Sequence, residues 1–467
     1  MGMGGTEFPE AASVAAVHES ALRVLETTGV VVQDDEAVAL LRSRGARCDG
    51  RRVYLEAGAV QAALAAAPSS FVLAGRRPEL GLPLGGAGGR VFASGSGAAY
   101  VIEGRIMRPG TLADLEATAR LGHQLPAIDF NSDCMEPLDL PEEVRTRRGT
   151  HTRLIASDKA IEWVASVDAD IDDAERINEI LFGVAWHERP RALIILNTTS
   201  PLQISGETAR ILMRWARLGQ PTCVTACVMG GTSGPATLGG VLVVQHAEVL
   251  ASLVLAQAAR EGSPFVYGGI SAMASLRTAA ALFGTPEFAR LAGATAGLAR
   301  RCGLPVRAGA AATDAHAVDA QAMAESAAGL SAAALAGGHF LFQAAGMLSS
   351  LNALSLEKYV IDAELIEALR ATLAAVPVGE DELAEGVIAA VGPGAGYLGQ
   401  AHTRRHARDF ERAALYAPEP FERWRAAGGE DAVGVAARRV PELLAAHEPP
   451  DDLDAVTRRQ LDTYCQA

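Results

Sequence analysis

The feature that most constrains the fold is an alternation of short β-like runs with longer helical stretches through the centre of the chain. The β-like runs are apolar and rich in β-branched or aromatic residues, and they occur near residues 91–94, 128–132, 162–166, 193–197, 222–228, 264–268, 305–309 and 338–343. Strands that alternate with helices indicate βαβ units, in which neighbouring strands run parallel.

Eight successive βα units predict an α/β protein of the closed (β/α)8 TIM barrel type. The helical stretches follow the strands at 111–123, 142–156, 171–185, 206–218, 237–260, 286–302, 317–336 and 354–373. An open doubly wound sheet is the alternative, but no G-x-G-x-x-G follows an early strand. We expect a helical N-terminal cap over 1–90, the barrel over 91–375 and a helical C-terminal extension over 376–467.

Composition limits the class of protein. The chain has 467 residues, of which 49% are hydrophobic, so a large core is expected. The net charge of −14 argues against a nucleic-acid partner or an anionic membrane surface. The six cysteines are scattered without a Cys-x-x-Cys pair, and no signal-peptide pattern opens the chain. We therefore expect a cytoplasmic protein in a reducing compartment.

The run from Cys223 to Thr237 has the pattern of a strand, a Gly-rich loop and a helix. Pro235 fits the first helical turn, and glycine lets the backbone approach a ligand closely. Free N–H groups at such a helix start favour anions. In this loop Gly231 and Thr232 are therefore candidates for binding the substrate, and Gly230 and Ser233 are candidates for binding a cofactor.

Polar residues follow most of the β-like runs. Active sites of (β/α)8 barrels lie at the carboxyl ends of the strands. This rule predicts a substrate site from Asn131, Asp133, Asn197, Tyr267 and Gln343, together with Gly231 and Thr232. Aromatic side chains near the strand ends suit a quaternary ammonium group, although they also suit plain packing.

The most charged cluster lies between Thr313 and Glu325. Gln321 and Glu325 are four residues apart and share one helix face. We predict His316, Gln321 and Glu325 as catalytic residues. The alternative is that Asp314 caps the helix and Glu325 is a buried, hydrogen-bonded side chain.

Three further groups carry weaker signals. His246 and Glu248 lie in an apolar helix, where a structural hydrogen bond is the expected role. Cys223 and Cys227 are expected in the core. His402 and His406 have the spacing of a metal-binding pair, but the pair alone is a weak signal, so no bound metal is predicted.

Several ordered motifs resemble those of the trimethylamine methyltransferase (MttB-like) superfamily. The resemblance extends from His18-Glu19 to His402-Thr403, and it is carried by the runs GGTSGPATLGGVLVVQHAEVLASLVLAQ, GSPFVYGG, GTPEFARLAGATAGLARRCGLP, TDAHAVDAQAMAES, LEKYVIDAE and GPGAGYL with AHT.

This resemblance implies a (β/α)8 barrel that removes a methyl group from a small methylated amine. The acceptor would be cobalamin, as cob(I)alamin on a separate corrinoid protein, and a homo-oligomer is expected. Residues 308–319 hold only standard amino acids, which resembles the branch without pyrrolysine that acts on quaternary amines such as glycine betaine. Gln343 departs from the His that many relatives carry, which bears on betaine specificity. The open alternatives are another acceptor, such as tetrahydrofolate, or a non-catalytic binding homologue.

Overall fold

The computed structural model describes residues 10–86, 89–409, 415 and 419–466. Two short 3-10 helices lie at Pro78–Leu80 and Trp186–Glu188. The α-helices of the described residues are α1 (Ala11–Thr27), α2 (Asp35–Ser43), α3 (Ala57–Ala66), α4 (Leu112–Gln124), α5 (Glu142–Ala156), α6 (Asp168–Phe182), α7 (Gly206–Arg217), α8 (Leu238–Ala259), α9 (Pro286–Arg301), α10 (Ala320–Leu335), α11 (Leu356–Leu373), α12 (Glu380–Leu383), α13 (Glu385–Val391), α14 (Ala401–Arg405), α15 (Phe421–Ala426), α16 (Ala432–Ala446) and α17 (Ala455–Gln466).

The strands fall into a central set of long-range parallel pairs and several short hairpins. They are β1 (Val30–Val32), β2 (Arg47–Asp49), β3 (Arg52–Tyr54), β4 (Ser70–Leu73), β5 (Leu82–Gly85), β6 (Val91–Phe92), β7 (Tyr100–Glu103), β8 (Ile106–Pro109), β9 (Phe130–Asn131), β10 (Ala160–Ile161), β11 (Ile194–Asn197), β12 (Gln203–Ile204), β13 (Thr222–Ala226), β14 (Met229–Gly230), β15 (Phe265–Gly269), β16 (Ala272–Ala274), β17 (Ala281–Leu282), β18 (Val306–Gly309), β19 (Phe340–Phe342), β20 (Met347–Leu348) and β21 (Ala353–Leu354).

The central strands correspond to the eight runs that the sequence predicts. Six of them form one parallel sheet in the order β11-β13-β15-β18-β19-β6, and β9 pairs in parallel with β10. Two isolated parallel bridges, Ala93 to Phe130 and Trp163 to Ile194, link this pair to the two edges of the sheet. The α/β prediction is therefore confirmed, and the parallel pairing passes through all eight strands in chain order.

Most predicted helices lie within a few residues of the observed ones. Their starts have recognisable caps: the Thr111 side chain accepts from the Asp114 N–H at the start of α4, and Pro286 is the first residue of α9. The third strand differs: the observed strand is Ala160–Ile161, and of the predicted run 162–166 only Trp163 makes an isolated bridge, to Ile194. All residues of this run except Trp163 line a cavity at the strand ends.

The N-terminal region is mixed rather than purely helical. Its strands β1 to β3 join β12 in a four-stranded sheet, while α1 and α3 pack against α8. The hairpin β4–β5 contributes Leu73 and Leu84 to an apolar cluster with Leu193, Val266 and Phe340 from the central region. The amino-terminal region and the central strands therefore share one core.

Helix α8 is long and apolar enough to span a membrane, but most of it is buried inside the fold. The Glu248 carboxylate accepts hydrogen bonds from the hydroxyls of Thr198 and Ser200 and from the Leu202 N–H, at 2.5 to 2.9 Å. His246 is hydrogen-bonded to Tyr267. The expected structural roles of Glu248 and His246 agree with these contacts.

The C-terminal part divides into a packed and an exposed section. Helix α16 packs on α11, and α17 packs on α5 and α6. Residues 376–409, which carry α12 to α14, contain no buried residue. This exposed section, residues 376–409, is called the C-terminal segment.

Candidate active site

A cavity of about 610 Å³ lies where the central parallel strands end. Its polar and charged lining comes from strand ends and the following loops, as the strand-end rule predicts. The residues that line it include Ser96, Asp133, Glu162, Ser166, Asn197, Ser205, Glu207, Thr208, Cys227, Ile270, Phe283, Arg307, Phe342, Gln343 and Leu351.

Two acidic side chains form one wall of this cavity. Oε2 of Glu162 accepts a hydrogen bond from the Asp133 N–H at 3.0 Å. Nε of the buried Arg153 lies 3.3 Å from Oδ1 of Asp133. Burial raises the pKa of both carboxyls, and the nearby Asp133 charge raises the pKa of Glu162 further. One buried and one half-buried acid with raised pKa values are typical of a site that binds a cation or a proton.

Arg307 projects from β18 into the same cavity and is only 3% exposed. Its Nη1 donates a long hydrogen bond of 3.5 Å to the Gly269 carbonyl, and its Nε has no partner among the described residues. The guanidinium lies 4.8 Å from the centre of the Phe342 ring. Burial lowers the pKa of Arg307. Because a buried charge is unfavourable without a partner, this guanidinium is placed to bind an anionic group.

The backbone around the cavity departs from common conformations. Gln343 and Leu351, which line it, have φ values of 63° and 71°, and Ser349 and Ser350 also have positive φ. Each such non-glycine residue is unfavourable by roughly 1–2 kcal/mol. The Gln343 amide is held by Ser96, whose N–H donates at 3.3 Å and whose carbonyl accepts at 3.4 Å. Strain of this kind is common at functional sites.

The predicted substrate residues divide into two groups. Asp133, Asn197 and Gln343 line the cavity. Asn131 and Tyr267 are buried elsewhere: Nδ2 of Asn131 donates to the Ala119 carbonyl on α4, and the Tyr267 hydroxyl is 2.9 Å from Nδ1 of His246 on α8. Alternate strand residues point to opposite faces, so these two side chains meet helices instead of the cavity.

The Gly-rich loop after β13 also differs from expectation. Gly230, Gly231, Thr232 and Ser233 do not line the cavity. The loop bonds to itself instead: the N–H groups of Thr232 and Gly234 donate to the Met229 carbonyl, that of Gly231 donates to Gly234, and that of Met229 donates to the Ser233 hydroxyl.

The helix after this loop starts within one residue of the predicted stretch 237–260, but Pro235 lies outside its first turn. It begins at Leu238, where Thr237 is the N-cap, and not at Pro235. The Thr237 hydroxyl satisfies the Gly240 N–H, which Pro235 has no side-chain group to do. The predicted anion site at this loop therefore has fewer free donors than its sequence indicates.

The cluster predicted to be catalytic is held by hydrogen bonds among its own residues. Oε2 of Glu325 accepts from the Thr313 hydroxyl and the Asp314 N–H, and Gln321 donates to its Oε1. The Asp314 carboxylate accepts from the N–H groups of Phe283 and Gly284, each at 2.9 Å.

His316 is exposed, and its Nδ1 lies 2.8 Å from the Ser349 hydroxyl. None of His316, Gln321 and Glu325 lines the cavity. Asp319, and not Asp314, is the N-cap of α10. The cluster holds the loops that present Phe283 and Leu351 to the cavity.

Sequence reasoning missed two of the most distinctive residues of the cavity. Arg307 lies inside an apolar strand, and Glu162 directly follows the buried strand β10. A lone charged residue within a run that is otherwise buried is the signal that could have identified them, because buried charges are rare outside functional or paired sites.

Comparison with known proteins adds the family. Residues 3–467 match the family model for trimethylamine methyltransferase (MTTB). The chain is 35% identical over 442 residues to the glycine betaine methyltransferase of Desulfitobacterium hafniense (strain Y51), covering 94% of this chain and 92% of that protein. It is 30% identical to trimethylamine methyltransferase MttB2 of Methanosarcina mazei, covering 95% and 92%.

The fold has a counterpart among solved structures. The crystal structure of the Methanosarcina barkeri monomethylamine methyltransferase matches with a TM-score of 0.53 at 11% identity, over 94% of this chain and 90% of that one. At this identity the match concerns the fold alone. Together with the match over nearly the whole sequence, these findings identify the chain as a methyltransferase that belongs to the trimethylamine methyltransferase (MTTB) family.

Proposed function

We propose that this enzyme demethylates a small quaternary amine of the betaine class and passes the methyl group to cob(I)alamin on a partner corrinoid protein. The observation that carries the proposal is the buried Arg307, which has no ion pair among the described residues and shares a cavity with Asp133 and Glu162. A cavity whose wall carries one basic and two acidic side chains suits a zwitterion, which has a positive and a negative end. The 35% identity to a glycine betaine methyltransferase supports the same class.

In this proposal the eight central strands form a (β/α)8 barrel over residues 91–375, with the N-terminal cap over 1–90 and the extension over 376–467. The parallel pairing of all eight strands supports the barrel. The cavity would then occupy the carboxyl-end mouth, where catalytic sites of such barrels lie.

The charges of the cavity give the substrate one orientation. The quaternary ammonium would lie near Asp133 and Glu162, the two acidic side chains of the cavity wall. The carboxylate would accept hydrogen bonds from the Arg307 fork, as bidentate arginine–carboxylate pairs do. The Gln343 amide would limit the rotation of the bound substrate about the line between its two charged ends. These contacts turn one methyl group toward the open side of the cavity.

The chemistry needs positioning rather than a proton. A quaternary nitrogen has no lone pair, so its C–N bond breaks by direct displacement and the electron pair of that bond remains on the nitrogen. When bound, the corrinoid supplies the nucleophile for the methyl carbon. The enzyme contributes alignment, which is worth a large share of the barrier in such reactions. The amine product is uncharged until it takes a proton, so the carboxyls hold it less tightly than the substrate.

The open side of the cavity fits an acceptor that arrives from outside. Asn197 and Glu207 line the cavity and are exposed. A cofactor on another protein would therefore reach the cavity from that side. Gly230 and Ser233, which the sequence predicts to bind the cofactor, do not line the cavity and stay candidates for contact with the corrinoid. A cytoplasmic setting and a homo-oligomeric enzyme belong to the same proposal.

The test is methyl transfer to free cob(I)alamin, followed by its visible spectrum. Glycine betaine, proline betaine, carnitine, choline and trimethylamine would be compared, with tetrahydrofolate as a second acceptor. We expect transfer from at least one carboxylate-bearing quaternary amine and none from trimethylamine. Transfer only to tetrahydrofolate, or no turnover with any of the compounds, would contradict the proposal.

A further inference from the structure

The C-terminal segment 376–409 contains a cluster that the methyl-transfer site does not use. The segment has no buried residue, so its short helices are held mainly by polar contacts. Asp381 on α12 is the centre of these contacts. It contacts His402 and Arg405 of α14 and also His406, the C-cap of α14. These three residues lie more than twenty positions further along the chain.

The geometry around Asp381 resembles that of a metal site. One ligand atom from each of Asp381, His402 and His406 lies within 4.8 Å of the others. Nε2 of His406 is 3.0 Å from Oδ2 of Asp381, and Nε2 of His402 is 2.8 Å from the Asp381 carbonyl. The two rings are four residues apart with their centroids 4.4 Å from each other. A histidine pair at this spacing presents both nitrogens on one side.

A second carboxylate completes the arrangement. Oδ2 of Asp409 lies 2.5 Å from Nδ1 of His406, opposite the nitrogen that faces Asp381. Ligating histidines commonly hold a carboxylate on their other ring nitrogen, which fixes the ring and makes the ligand more basic. Arg405 pairs with Oδ1 of Asp381 at 2.6 Å and leaves Oδ2 for the cluster.

A second group of potential ligands, His18, His246 and Cys302, is less suited to a cation. Nδ1 of His18 and Nε2 of His246 bond to each other at 2.8 Å, and His246 also bonds Tyr267. The Arg301 charge lies close enough to lower the pKa of both histidines, in addition to the larger effect of burial. This group is a buried hydrogen-bond chain beside a positive charge.

We propose that Asp381, His402 and His406 bind one divalent transition-metal ion of the Zn²⁺ class and thereby fasten α12 to α14. Two imidazoles and one carboxylate are ligands that Zn²⁺ accepts, and water would complete the coordination. The ion would close the chain between residues 381 and 406 in a segment that has no apolar core of its own. The proposal does not depend on the identity of the methyl donor.

The test is calorimetric titration of the chelator-treated, full-length protein with Zn²⁺ at about pH 8, because metal binding displaces protons from its ligands and is favoured at higher pH. We expect one equivalent to bind and this equivalent to disappear in the double variant His402→Ala/His406→Ala. Asp381→Asn should weaken the binding at least about tenfold. His187→Ala, which removes an exposed histidine outside both groups, is the matched control and should bind as the wild type does.

Two further readouts separate the sites and the structural effect. Cys302→Ser should leave the titration unchanged. Zn²⁺ should slow tryptic cleavage after Arg404, Arg405 and Arg408 in the wild type but not in the double variant. The proposal would be overturned by wild-type protein that takes up no Zn²⁺, by uptake that the double variant retains in full, or by uptake that only Cys302→Ser abolishes.

Discussion

Replacement of Arg307 by methionine separates substrate recognition from stability. The guanidinium makes one hydrogen bond of 3.5 Å to protein and otherwise lies buried and unpaired among the described residues. Arg307→Met removes a buried charge and leaves a flexible apolar side chain in its place. If the arginine serves the substrate, the loss should appear in binding and not in folding.

The magnitude follows from the contacts. Hydrogen bonds between charged partners contribute about 1.5–3 kcal/mol, and each 1.4 kcal/mol is about a factor of ten in Kd. The affinity for glycine betaine should therefore fall roughly 10- to 150-fold. Replacing a buried ion by an apolar residue of similar volume is often neutral or stabilising. The Tm of the ligand-free variant should accordingly equal or exceed that of the wild type.

The assay compares two ligands by calorimetry. Glycine betaine and tetramethylammonium share a quaternary nitrogen, but only betaine has a carboxylate. Arg307→Met should lose betaine affinity and bind tetramethylammonium as well as or better than the wild type does, while Arg307→Lys should retain part of the betaine affinity. Equal losses for both ligands, or an unchanged Kd for betaine, would refute the assignment of Arg307 to the carboxylate.

Three other predictions test the remaining parts of the structure. Burial raises the pKa values of Asp133 and Glu162. Affinity for the cation should therefore be complete above those raised pKa values and fall as the pH decreases through them, which calorimetry across pH measures. Glu162→Gln should weaken betaine binding about tenfold. Lys358→Met breaks a fully buried ion pair with Asp362 and should lower the free energy of unfolding in urea by about 3–5 kcal/mol, whereas adding Asp362→Leu should restore much of it. Glu325→Gln should lower the free energy of unfolding by about 1–3 kcal/mol in the same assay and leave the Kd of betaine within about twofold. A tenfold rise in that Kd would show that Glu325 takes part in substrate binding.

The arrangement of strands and helices could be predicted because it depends on local patterns. Apolar runs and caps such as Thr111 and Pro286 depend on neighbouring residues, and seven of the eight predicted runs overlap the observed central strands. The strand-end rule also identified Asp133, Asn197 and Gln343, since each follows or ends a central strand and lines the cavity. These predictions required no knowledge of long-range contacts.

The features that could not be predicted depend on which way a strand side chain points and on contacts between residues that are distant in the sequence. Whether a strand residue points to the cavity or to a helix changes at each position, so Tyr267 was assigned to the wrong side and Arg307 was missed. The approach of Asp381 to His402 joins residues 21 positions apart in separate short helices, and no local pattern indicates it.

The fate of the methyl group tests the proposed reaction most directly. The enzyme would be incubated with glycine betaine that carries ¹³C in its N-methyl groups and with cob(I)alamin, and the products would be followed by carbon NMR. We predict equimolar dimethylglycine and methylated corrinoid, with label in both. Label that remains in betaine, or that leaves betaine without reaching the corrinoid, would contradict corrinoid-dependent demethylation by this enzyme.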